Sequence, residues 1–231
     1  MKIAIMQPYF LPYIGYFQLI NAVDTFVVFD DVNFRKKGWI NRNHILINEE
    51  PFLFNIPLKN SSQNKLINEI EIVDSDWRST FLKTIFTGYK KAPFFEVVFP
   101  LIEQIVNFEE SNLSLFILNS LSKICKFLDV KTEFLLSSSI NKDLLMKGES
   151  KIIDICSRLK CDLYINAIGG KELYNKDNFN KVNIDLKFID TINIEYKQFK
   201  NNFVPYLSII DLLMFNSNDK CKELLNNYKL I

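Results

Sequence analysis

The chain has 231 residues, 48% of them hydrophobic, enough to bury a sizeable core in one domain. With 28 basic against 27 acidic residues the formal net charge is +1, which gives no electrostatic footprint for a nucleic-acid duplex or an anionic membrane. One histidine leaves almost nothing for a zinc site or a His-based triad, and the 4 cysteines, Cys125, Cys156, Cys161 and Cys221, show no C-x-x-C and read as buried free thiols.

Ile3 to Met6 reads as a short buried strand, too brief with its flanks for a secretory signal. After Pro12 comes a helix-like pattern with Tyr13, Phe17 and Ile20 on one side. Residues 25–32, TFVVFDDV, form a second buried strand ending in an acidic pair. A polar, basic segment fills 33–43. Residues 44–58 have the pattern of a hairpin turning at Asn48-Glu49-Glu50, and 67–74 alternate as a half-exposed strand would. Helical spacing then covers 77–92, 95–108 and 112–130, with Pro100 expected to kink or interrupt the second. Strand 133–138, helix 148–160, strand 161–167 and strand 184–190 follow, and helices at 207–215 and 218–228 end the chain. The order predicts one α/β domain over 1–231: a Rossmann-like, mostly parallel sheet with a β-hairpin and a helical insertion at 77–130. No apolar run is long enough to span a bilayer, so a cytoplasmic protein without membrane insertion is expected.

In such sheets ligands bind beyond the carboxyl ends of the strands. That rule gathers Gln7 to Tyr16, the Asp30-Asp31 pair with the segment after it, and the stretch after Ala167. In Tyr13-Ile14-Gly15-Tyr16, the glycine near a helix start lets a backbone or phosphate approach, or else the tyrosines cap a core over a proline-stiffened bend. Asp30, Asp31, Asn33, Arg35, Lys36, Lys37, Trp39, Asn41, Arg42 and Asn43 crowd one segment after a buried strand. Arginine forks onto phosphate or carboxylate, and asparagine both donates and accepts, which suits a sugar or a base. A merely solvated loop does not need the indole of Trp39. Gly169, Gly170, Lys171 and Tyr174 are compatible with a phosphate nest or with an ordinary loop. His44 is either a structural residue or a base. Asp211, among apolar neighbours, is expected to cap a helix or pair with a basic group, with Ser208 as N-cap.

The stretches MQPYFLPYIGYFQLI, FDDVNFRKKGWINRN, NIPL, GYKKAPFF and YLSIIDLLMFN resemble the WbqC-like family of bacterial surface-polysaccharide gene clusters, from Lys2 to about Asn216. The setting implied is O-antigen, lipopolysaccharide or capsule biosynthesis, near enzymes that decorate amino sugars on nucleotide carriers. The first turn is also similar to the His-x-Gly-His turn of the nucleotidyltransferase and pantothenate-synthetase superfamily, with Tyr13 and Tyr16 on the histidines and Gly15 on the glycine. A phenol has no cation to offer a triphosphate, and losing such a contact costs on the order of a hundredfold in rate.

The resemblance implies a transferase that acylates or aminoacylates the amine of a nucleotide-linked amino sugar, with an acyl or aminoacyl carrier as donor. On that reading Asp30, Asp31 or His44 is the base; Arg35, Lys36, Arg42 and Lys59 meet phosphates or the oxyanion. Trp39, Asn41 and Asn43 meet the sugar or base, with Gln7, Tyr9 and Tyr13 towards the donor. No metal or cofactor is implied, except ATP and Mg²⁺ for the alternative of an ATP-dependent amide ligase. A non-catalytic module binding a sugar nucleotide or a glycosyltransferase, and a homo-oligomer, are further expectations.

Overall fold

Alternation along short apolar strands decides which side of the sheet each side chain serves, and that sets the architecture. The computed structural model describes residues 1–192, 194–200 and 202–231. Its strands are β1 (Lys2–Met6), β2 (Thr25–Val28), β3 (Arg42–Ile47), β4 (Glu50–Asn55), β5 (Leu58–Lys59), β6 (Glu71–Ile72), β7 (Glu133–Leu136), β8 (Leu163–Ala167), β9 (Asp185–Thr191) and β10 (Tyr228–Leu230). The helices are α1 (Ile14–Asn21), α2 (Trp77–Tyr89), α3 (Phe95–Val106), α4 (Leu113–Phe127), α5 (Gly148–Arg158), α6 (Lys176–Asn180), α7 (Ile209–Phe215) and α8 (Asn218–Leu225).

A six-stranded sheet runs in the order β10-β9-β8-β1-β2-β7. All pairings within it are parallel except that of β10, an antiparallel edge on β9. Ile3, Ile5, Val27, Leu186 and Phe188 point to one face, against Ile152 and Ile155 of α5 and Phe179 of α6. Ala4, Phe26, Val28 and Ile165 point to the other, where α1, α8 and the helices α2–α4 pack. The helices of 77–130 share this core: the Phe10 ring centroid lies 5.5 Å from Phe116 and 6.2 Å from Phe81. Burying several aromatic side chains at ~1.5–3 kcal/mol each binds insertion and sheet together.

The hairpin β3–β4 turns on Asn48 and Glu49, at φ 51° and 66°, the two left-handed residues that a two-residue primed turn requires. Pro100 does not interrupt α3. It sits on the exposed face, opposite buried Phe95, Val98 and Ile102, so the hydrogen bond it removes faces water. The strand expected at 25–32 stops at Val28, because the Asp30 N–H bonds Val28 and the chain turns off the sheet. Residues 67–74 contain a 3₁₀ turn, Ile67–Glu69, before the two-residue β6, since the Ile67 and Asn68 N–H groups bond Val32 and Asp30. The last helix ends at Leu225, leaving Tyr228–Leu230 to close the sheet edge.

From β1 the chain passes through α1 to β2 on one side, and later from β7 through α5 to β8 on the other. The carboxyl ends of β1 and β8 therefore flank a topological switch point, where such sheets open a crevice. No helix among the described residues is long and apolar enough to cross a membrane.

Candidate functional site

A cavity of about 360 Å³ occupies the switch point. Tyr13, Ile14 and Gly15 line it after β1, Ala167, Ile168 and Gly169 after β8, and Asp190 and Thr191 at the end of β9. Tyr196 and Tyr206 also line it. A second cleft of about 260 Å³ is lined by Tyr9, Pro12, Tyr13, Trp39, Asn43, His44 and Tyr206. The two share Tyr13 and Tyr206, so they form adjoining compartments. The larger falls within the range of small-molecule sites.

The aromatic cleft is held by backbone pinning. The Phe10 N–H bonds the Ile40 carbonyl and the Ile56 N–H bonds Asn41, tying the basic segment to the proline-rich loop and to the hairpin. Ser208 and Ile209, at the start of α7, donate to His44 and Pro12 (2.8 Å each), and the Ser208 hydroxyl donates to Leu11 (2.7 Å). Ser208 is the N-cap of α7, accepting from the Ile210 N–H. The Trp39 and His44 ring centroids are 5.6 Å apart. Burial raises the phenols of Tyr9 and Tyr13 above their ordinary values, Arg35 opposing this at Tyr9 and Tyr206 adding to it at Tyr13. Both stay protonated, neutral hydrogen-bonding groups at physiological pH.

Gly15 allows a close approach of the Tyr13 side chain. A Cβ there would stand 2.4 Å from the Tyr13 ring, which lies across the glycine at the start of α1. Tyr16, expected to face a ligand, is instead a core residue, 4% exposed, its hydroxyl donating to the Gln7 carbonyl at 2.7 Å. Its ring packs 5.4 Å from both Tyr9 and Phe26. The turn therefore offers one phenol, Tyr13, to the cavity.

The acidic pair is also engaged within the fold. Asp30 is buried and accepts from the Ser138 N–H (2.9 Å) and hydroxyl (2.6 Å), clamping the ends of β2 and β7. The Asp31 carboxylate pairs with Lys142 at 2.9 Å and Lys151 at 3.1 Å. Burial would raise its pKa, but the two ammonium groups outweigh that and hold it below the ordinary carboxylate value. Asp31 Oδ1 and the Ser137 hydroxyl have no protein partner among the described residues. The expected role of Asp30 or Asp31 as base is thereby corrected: neither lines the cavity or the aromatic cleft.

The other expected residues divide. Lys36, Asn41 and Arg42 line a shallow depression of about 260 Å³ beside the hairpin, not the cleft itself. Asn41 Nδ2 donates to Ile56 (2.8 Å) and Asn43 Nδ2 to Leu11 (2.9 Å), so both amides stitch loops together. The Arg42 guanidinium donates to the Gly38 and Lys37 carbonyls and lies 5.5 Å from the Trp39 ring centre, bracing the indole. Lys59 is exposed and paired with Glu71 (3.1 Å) on β5–β6. Gly169 opens on the cavity, but Gly170 packs on Asn166 and the Tyr174 ring. Both glycines lie in a 3₁₀ turn, Ile168–Leu173, not in a phosphate nest. Tyr174 faces the opposite core, 5.9 Å from Tyr164. Among the described residues no three His, Cys, Asp or Glu side chains cluster as metal ligands would; the four thiols are free and buried.

Asp211 lies at N3 behind the Ser208 cap, as expected, but pairs with no basic group among the described residues. Fully buried in the first turn of α7, it accepts from Tyr89 (3.0 Å), Tyr196 (2.7 Å) and Gln198 (2.6 Å), all neutral donors. Tyr206, Thr191 and Tyr196 went unnoticed in the sequence. For Tyr206 a sequence signal exists, an aromatic after Pro205 just before the Ser208 cap; in the structure the residue sits at φ 59° and is 81% exposed.

Fold and cavities together define an α/β protein with a cavity at the switch point of a mostly parallel sheet. Residues 7–223 match the WbqC-like protein family, to which this chain belongs. The chain is 27% identical over 215 residues to the uncharacterized protein Rv1507c of Mycobacterium tuberculosis, covering 92% of each chain.

Proposed function

We propose that the protein is a transferase that places an acyl or aminoacyl group on the amine of a nucleotide-linked sugar in surface-polysaccharide (O-antigen or capsule) biosynthesis. The observation that carries this reading is the shared wall: a cleft containing His44 adjoins the switch-point cavity through Tyr13 and Tyr206. Two compartments with a common boundary suit two substrates meeting at one reacting centre, where orientation alone removes much of the barrier.

The aromatic cleft takes the sugar, its rings against Tyr9, Trp39 and Tyr206. Arg35, Lys36, Lys37 and Arg42 supply positive charge beside Trp39 for the diphosphate. The switch-point cavity takes the donor's acyl group. As the amine attacks the donor thioester carbonyl and forms the C–N bond, His44 removes its proton, replacing Asp30 and Asp31, which ion pairs and hydrogen bonds hold elsewhere. Collapse of the tetrahedral intermediate then breaks the C–S bond, and the carrier leaves as its thiol with the proton that His44 returns. The Tyr13 and Tyr206 hydroxyls stand at the boundary, available to the developing oxyanion.

The test incubates purified protein with nucleoside-diphosphate amino sugars and acyl or aminoacyl thioesters, following product mass. A mass gain that needs His44 and no ATP supports the transferase. Product formed only with ATP and Mg²⁺, with pyrophosphate release, replaces it with an amide ligase. Tight sugar-nucleotide binding without product under either condition replaces it with a binding module.

A further inference from the structure

Strand alternation decides which side chains the switch-point cavity meets. In β8, Ala167 shares a face with buried Ile165, and it pairs across to Ile189 of β9. Ile189 and Thr191 lie on that same face, the one packed by α1. Asp190, between them, turns to the opposite face with Phe188, cross-strand from Lys229. Leu207 and Leu212 belong to the core on the α1 side, and Tyr196 packs against it. Ala167, Ile189, Thr191, Tyr196, Leu207 and Leu212 all line the cavity.

The polar atoms of this wall are engaged within the protein. Gln18 Nε2 donates to the Leu224 carbonyl (2.8 Å), which leaves Oε1 to accept from the Thr191 hydroxyl (2.8 Å). The Tyr196 hydroxyl donates to the fully buried Asp211 at 2.7 Å. No lysine or arginine lines the cavity among the described residues. The phenols of Tyr13 and Tyr206 stand at the boundary shared with the His44 cleft. Such a cavity suits a ligand that is apolar along its length and polar at one end. Its volume of about 360 Å³ is at the small end for ligand cavities, so the apolar part is short.

We infer that this cavity binds the short hydrocarbon chain of an uncharged acyl donor, and that Ala167 sets the chain length it accepts. The inference rests on the transferase reading and resolves which donor it uses: simple acyl, not aminoacyl. The acyl carbonyl lies towards Tyr13 and Tyr206, facing the His44 cleft. A charged α-amino group would lose water against this wall and gain no acceptor there, a cost that a hydrocarbon chain does not incur. The Ala167 methyl leaves room above the strands that a larger side chain on the same face would fill.

The probes are acetamide, butanamide and hexanamide, with 4-methylpentanamide and leucinamide as a pair matched in shape apart from the amine. They are titrated into the full chain by ligand-observed NMR at about pH 6, where the leucinamide amine is charged. Wild type is expected to bind hexanamide at least about tenfold more tightly than acetamide, since each buried methylene contributes up to about fourfold. It should also prefer 4-methylpentanamide to leucinamide at least about fivefold. Ala167→Leu should lose the hexanamide advantage at an unchanged urea midpoint, and Ala167→Val, the smaller step, should reduce it if the leucine variant does not fold. Equal binding of the three chain lengths by wild type overturns the inference. So does leucinamide binding as tightly as its partner, or a folded Ala167 variant with the full hexanamide advantage. The titration involves neither nucleotide nor turnover. Aminoacyl transfer without a preference for 4-methylpentanamide sinks the acyl assignment alone, whereas that preference without any transfer upholds the acyl site and removes the transferase.

Discussion

Two regions beyond the carboxyl ends of the same sheet carry the polar residues of this protein, and they differ in what those residues do. Past β2, Asp30 and one oxygen of Asp31 are engaged from inside, by Ser138 and by two lysines whose side chains are 1% and 12% exposed. Past β1 and β8, Tyr13, Tyr206 and His44 line open space. The difference teaches that polar density after a strand marks a place where the backbone leaves the sheet. Whether that place is a clamp or a site depends on the partners that other segments bring.

Exchanging His44 for asparagine probes the open side most strongly. Turnover should fall ~10²–10⁴-fold, the usual contribution of a general base, while the urea midpoint stays at its wild-type position. A variant with undiminished turnover would move the reaction away from this cleft.

On the clamp side, Asp31→Ala leaves Lys142 buried and unpaired, and unfolding by urea should show a loss of ~3–5 kcal/mol. Because the folded pKa of Asp31 is lowered, the unfolded chain binds the extra proton as pH drops. Its stability contribution is complete above the ordinary value of 3.8 and is lost as pH falls through the lower folded value. Asp31→Asn should lack that acid-side slope. Unchanged stability in Asp31→Ala, with weakened sugar-nucleotide binding, would turn the clamp into a site and dissolve the contrast.

Tyr16 stands at the border between the regions. Tyr16→Phe gives up one hydrogen bond to Gln7 and should cost ~0.5–1.5 kcal/mol with turnover preserved; the alanine variant, truncating a buried aromatic, should cost ~3–5 kcal/mol. Folded Tyr16→Phe protein without turnover would return this residue to the site.

The smallest effect is expected at Arg42, whose guanidinium braces exposed Trp39. Alanine there should weaken binding of a nucleoside-diphosphate sugar by ~0.5–1 kcal/mol, the scale of a solvent-exposed charge contact. Calorimetry in low and moderate salt checks it: a loss that vanishes with added salt points to phosphate attraction, and one that persists points to the indole.

Much of the architecture was legible in the residues themselves. Short apolar strands alternating with helical periodicity specify a mostly parallel sheet, since burial on both faces selects for that pattern, and the Asn48-Glu49 turn and the Ser208 cap are local chemistry that one segment suffices to encode. The strand-end rule likewise pointed to Tyr13, Gly15 and Gly169, which do line one cavity. What the linear order left open was partnership. Asp31 reads as a candidate base until Lys142 and Lys151, more than a hundred positions along, neutralise it. Asp211 reads as a helix cap until Tyr89, Tyr196 and Gln198 converge on it from two other segments. A side chain's availability for chemistry depends on which groups satisfy it, and those contacts exist only once distant segments have packed.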